Sequence, residues 1–134
     1  MEAAQRFLEA KERYPVGSEN WARATAGVFD MLMEKECTEV AKPEWWNDEA
    51  LKALSARVVR ATPNDTAAIG MRAVVLSGDD GAWEAGPRSA VELKEAAAHY
   101  ERAAALCDAP AMKAELSRLA DESRSRAEMM PCKA

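Results

Sequence analysis

The chain is short of the residues that most often carry chemistry. His99 is the single histidine among 134 residues, so a His–His metal pair is excluded. Cys37, Cys107 and Cys132 are odd in number and form no CxxC pair, which argues against a disulfide framework or zinc knuckle and fits inert thiols in a reducing compartment. No Ser-His-Asp or Cys-His spacing is present either. The 18 bases are outnumbered by 23 acids and mixed among them, a net charge of -5, so no basic field exists to gather the phosphates of a nucleic acid. Long apolar runs are missing as well. The opening residues Met1 to Arg6 are acidic and amphipathic rather than signal-like, and Cys132 stands third from the end where a prenylation box needs it fourth. These absences lead us to expect a soluble, cytoplasmic chain without cofactor, metal, nucleic acid or membrane. Catalysis is not expected.

Aromatic residues make up only 6% of a chain that is 49% apolar. Alanine fills the difference, and because it is the best helix former and adds little bulk, the composition predicts closely approaching helices and no sheet. At this length one domain spanning 1–134 can bury a sizeable core. The expected fold class is all-α.

Six helices are legible. The first covers 2–13, with Glu9 and Arg13 paired at i,i+4, and stops at Tyr14-Pro15-Val16-Gly17. The second starts after Ser18 and runs to about Val40, with Trp21, Ala24, Val28, Met31 and Leu32 beside a second stripe of Phe29, Met33 and Cys37. The third begins at Pro43, or after a cap at Asn47 or Asp48, with an expected core stripe of Trp46, Ala50, Ala53, Leu54, Val58 and Ala61. Trp45 and Trp46 would then point about 100° apart, one to the core and one to an edge. Thr62-Pro63-Asn64-Asp65 is a turn that starts a fourth helix, 66–76. Three glycines and a proline break the chain through 77–88. Ser89 and Glu92 then have capping-box spacing, and Leu93, Ala96, Ala97, Tyr100, Ala103, Ala104 and Cys107 keep the 3.6-residue period. Pro110 opens the last helix, to about 128, with Met112, Leu116, Leu119, Ala120 and Ala127 on one side.

Within 63–110 the offsets carry a resemblance. Ile69, Arg72, Ala73 and Leu76 stand where a bulky residue, a leucine, a small residue and a tyrosine recur in the first helix of a tetratricopeptide unit. Ala96, Tyr100 and Ala103 match its second helix, and Pro63 looks like the closing proline of a preceding unit. Arg72 departs from the pattern. The closing position falls on Asp108 with Pro110 beyond it, and the unit is about eleven residues longer than the usual 34 or so, matching the 78–88 loop. Over about one-third of its length the chain is therefore similar to the tetratricopeptide superfamily. The resemblance implies about six antiparallel helices stacked as hairpins in an α-α superhelix, a single tetratricopeptide-like domain. It also implies a non-catalytic scaffold or adaptor whose groove holds a protein or peptide partner. By motif position the groove would expose Ala67, Gly70, Val74 and Ser77, which lack the basic and Asn residues that clamp a C-terminal carboxylate.

Four features bear on other functions. Trp83 in the long loop either folds back over the helices as a lid or anchors a partner. Asp79, Asp80 and Glu84 lack EF-hand spacing, and Gly78, Gly81 and Gly86 lack a phosphate-loop ending, so both sets read as a solubilising, flexible turn. His99 shares the polar side of its helix with Glu92, Glu95 and Arg102, a solvated face. A small-ligand or enzymatic pocket between the 78–88 loop and helices three to five, using Trp83, Arg88, His99 and the loop carboxylates, is the alternative, on loop length alone. Self-association is a further possibility, because an incomplete array leaves end faces uncovered.

Overall fold

The computed structural model describes residues 12–33, 44–78 and 83–130. Residues 2–11 of the expected first helix, the continuation of the second helix beyond Met33, and Cys37, Asp79, Asp80, Gly81 and Cys132 lie outside them, while Glu12 and Arg13 are helical and Tyr14 is not. The described residues form five helices and no strand: α1 Glu19–Met33, α2 Asp48–Ala61, α3 Thr66–Ser77, α4 Ala90–Leu106 and α5 Pro110–Met129. None of these is long and apolar enough to cross a membrane.

Each start has a local cause. The Ser18 hydroxyl accepts from the Trp21 amide at 3.1 Å at the head of α1. Asn47 caps α2 through Ala50, which decides between the alternative starts, and Asp65 caps α3 through Ala68. At α4 both halves of the Ser89–Glu92 capping box form. Pro110 takes the first turn of α5, where its missing N–H costs nothing. Short connections turn α2 into α3 and α4 into α5, so consecutive helices run back along one another.

α3 is the shared element. It carries one charged residue, Arg72, and buries Ala68, Ile69, Met71, Ala73, Val75, Leu76 and Ser77, as a helix apolar almost all round must. On one side it joins α1 and α2 in a cluster of bulky side chains with Trp21, Phe29, Leu51, Val58 and Trp83. On its other side it joins α4 and α5 in a cluster of Ala96, Ala97, Tyr100 and Ala120. Val74 packs against both. The α4 stripe from Leu93 to Ala104 is buried as the period demanded.

Three expectations are corrected. The buried stripe of α2 is Leu51, Ser55 and Val58, not one through Ala50 and Ala53; Ala53 is exposed. Ser55 belongs inside because its hydroxyl donates to the Lys52 carbonyl and accepts from Arg72. Trp45 and Trp46 do not split between core and edge. Both lie before the Asn47 cap, outside the helix, and both are half-buried with ring centroids 5.8 Å apart. Met112 is 53% exposed, because α5 buries only Ala120, Ser123 and Ala127.

Candidate functional site

The strap that leads into α4 is clamped to the helices rather than loose. Arg88 is 7% exposed and reaches two elements at once. Its guanidinium forms a two-pronged pair with the Asp48 carboxylate at 2.6 and 2.9 Å, and its Nε and Nη2 donate to the carbonyls of Leu76 and Val75. Asp48 is the first residue of α2, where a negative charge suits the helix dipole; the carbonyls are the last of α3, where a positive charge does. The Trp83 indole N–H donates to the same carboxylate at 2.9 Å, and the Gly86 amide donates to its other oxygen at 3.2 Å. Hydrogen bonding to Arg88, opposed by partial burial and aided by Trp83 and Gly86, holds the Asp48 carboxyl well below the usual carboxylate range.

Every orphan carbonyl at the end of α3 is thereby satisfied. Val74 accepts from the Gly78 amide, Val75 and Leu76 from Arg88, and Ser77 from Arg126 of α5 at 3.1 Å. Gly78 is needed twice over. Its φ is +66°, and a Cβ there would lie 2.6 Å from the Arg88 Nε. The glycine that signalled flexibility in the sequence instead admits an arginine.

A polar groove of about 540 Å³ lies between α2 and α4 over α3, lined by Glu49, Lys52, Ala53, Arg72, Leu76, Val91, Glu92 and Glu95. Apart from Glu49, its charges are spent on one another. Lys52 pairs with Glu92 at 2.7 Å, and Arg72 donates to Glu95, to the Lys52 carbonyl and to the Ser55 hydroxyl. Partial burial would raise the Glu92 pKa, but the bonds from Lys52 and Ser89 outweigh it and leave the carboxyl below its usual value. Lower down, Arg102 donates to Asn64 at 2.7 Å, so α2 and α4 run in the same direction. Arg72, the departure from the repeat pattern, is what binds the two helices through α3.

The residues singled out in the sequence do not converge. Trp83 folds back into the bulky core, 8% exposed and 6.1 Å from both Phe29 and Trp46. Ser77 is 2% exposed, its hydroxyl 2.9 Å from the Val74 carbonyl and 3.4 Å from the Tyr100 hydroxyl, so it does not face a groove. Ala67, Gly70 and Val74 are half-buried. Arg72 and Leu76 lie two residues either side of Val74, about 160–200° round the helix, so the polar groove opens away from that face. His99 is half-buried, with Nδ1 2.9 Å from the Glu95 carbonyl, and neither it nor Trp83 and Arg88 lines the groove. Among the described residues no three His, Cys, Asp or Glu side chains gather as a metal site. The Asp48–Arg88 pair escaped sequence reasoning. Forty positions separate its members, and the one available signal was an arginine directly before a capping box. No protein-family model, curated protein or solved structure matches the chain.

Proposed function

We propose that the chain is a non-catalytic interaction module, a tetratricopeptide-like stack of helical hairpins that works in the cytoplasm and presents the Ala67–Gly70–Val74 face of α3 to a peptide or helix of another protein. The observation that carries this is Gly70. A glycine inside a helix costs about 0.5–1 kcal/mol relative to alanine. Its φ is not positive, and among the described residues a Cβ placed there would meet nothing within 4 Å, so neither the backbone nor the packing of those residues asks for it. A missing side chain on a half-buried helix face is useful where another backbone must come close. With α1–α2 and α3–α4 taken as the two hairpins, the contact between their first helices, α1 and α3, supports the same organisation. Ser77 bonds the Val74 carbonyl, and Trp83 belongs to the cluster against which Ala67 and Val74 pack, so both act on this face from within the core.

Affinity capture from the source cells with wild type and Gly70→Leu tests this. Proteins retained by wild type should be lost with Gly70→Leu, although that variant folds and melts no lower. Equal capture by both, or capture by neither, contradicts the assignment.

A further inference from the structure

The outward face of α2 is complementary to itself. At about 100° per residue, Glu49, Ala53, Arg57 and Arg60 share the side of the helix opposite Leu51, Ser55 and Val58, and all four are exposed. Glu49 stands four residues before Ala53 and Arg57 four residues after it. Among the described residues neither has an ion-pair partner, whereas Lys52, Arg72 and Arg88 nearby are all paired within the chain. Arg57 lies over the Trp21 ring, 5.8 Å from its centroid. Ala50 and Ala56, also equidistant from Ala53, add no bulk that would hold a second helix away. Val91, 75% exposed, lines the same groove as Glu49 and Ala53.

We propose that this face pairs with the same face of a second copy, α2 antiparallel to α2 about a two-fold axis at Ala53. Glu49 of each copy then meets the partner's Arg57. A two-fold axis sets residue i against j and j against i, so a single pattern supplies both ion pairs. The alanines allow an axis separation of about 8 Å, and Val91 extends the contact with apolar surface. With 14 residues, α2 is about 21 Å long, so the interface lies at the small end of specific contacts and the dimer is weak and sensitive to salt.

Sedimentation of the full chain through the micromolar range tests the pairing. Wild type should show a dimer fraction that rises with concentration and falls with salt. Glu49→Arg and Arg57→Glu should each weaken dimerisation by about tenfold or more, because like charges then face each other. Mixing the two variants in equal amounts should restore the dimer, since one brings two bases to the contact and the other two acids. Arg57→Glu also removes the contact with Trp21, but Glu49→Arg leaves it in place, and circular dichroism checks both folds. A wild type that stays monomeric, a dimer that survives both substitutions, or a mixture that stays monomeric overturns the proposal. The last is the result expected if this face serves a different protein.

Discussion

The first hairpin and the second solve the same packing problem with opposite materials. Between α1, α2 and α3 the space is filled by rings: Trp21, Phe29 and Trp83 are buried, and the Trp46 ring packs at a tilt against Phe29 with centroids 5.5 Å apart. Between α3, α4 and α5 it is closed by taking bulk away, with Ala73, Ala96, Ala97 and Ala120 around a single ring, Tyr100. The ion pairs divide less cleanly, since Arg23–Glu19 is an exposed pair within α1 and Arg124–Glu101 joins α5 to α4, but the extremes differ. Asp48–Arg88 is largely buried and joins segments far apart in sequence, while Arg118 pairs with Glu115 and Glu122 on the open surface of its own helix. A core of rings needs partners from distant segments and a clamp to hold them. A core of small residues needs only its period.

The largest effect is expected at Arg88. Arg88→Ala strands the Asp48 charge and leaves two carbonyls of α3 without donors, a loss of up to about 5 kcal/mol. Arg118→Ala, which breaks two exposed pairs, should leave the urea midpoint where it was. Similar shifts for the two would erase the contrast between the halves.

Tyr100 comes next, as the ring on which the small-residue core closes. It is 4% exposed, and Tyr100→Ala should cost about 3 kcal/mol, against less than about 0.5 kcal/mol for His99→Ala one position round the helix. Comparable losses in urea denaturation would mean that the α4 face is misassigned.

The two glycines flanking this contrast should move in opposite directions. Gly78→Ala forces a side chain into a left-handed backbone and against Arg88, and should cost about 2 kcal/mol. Gly70→Ala meets open space and should stabilise by up to about 1 kcal/mol. Thermal melts of the pair give both signs.

Acid sharpens the comparison with a smaller effect. The Asp48 carboxyl titrates below its unfolded value of about 3.9. Its stabilisation is therefore complete above that pH and is lost as pH falls through it toward the folded value, because the unfolded chain takes up the proton first. Urea midpoints between neutral pH and pH 3 should fall less steeply for Asp48→Asn than for wild type.

The second half was far easier to read than the first. The Leu93–Ala104 stripe, the Ser89 cap and the buried Tyr100 all follow from local rules, since spacing along one helix decides them. In the first half the same rules chose Ala53 over Ser55 for the core of α2. A serine enters a core only when its hydrogen bonds are met, and the partner that meets them, Arg72, lies on another helix. Residues 83–88 misled for the same reason: glycine count signals freedom, whereas the packing of Trp83 and Arg88 is set by Asp48, which local spacing does not reach. The face at Ala67, Gly70 and Val74 follows from motif position, while the groove around Lys52 and Glu92 became visible only once α2 and α4 were side by side.

The Asp48–Arg88 clamp bears most of this contrast, and a double-mutant cycle in urea tests it most directly. Asp48→Asn, Arg88→Met and the double variant should show a coupling energy of at least about 2 kcal/mol, because each single change leaves its partner unmatched and the double change does not. Single losses that add to within about 0.5 kcal/mol would show that the two side chains do not act as a unit, and the clamp would no longer explain how the strap is held.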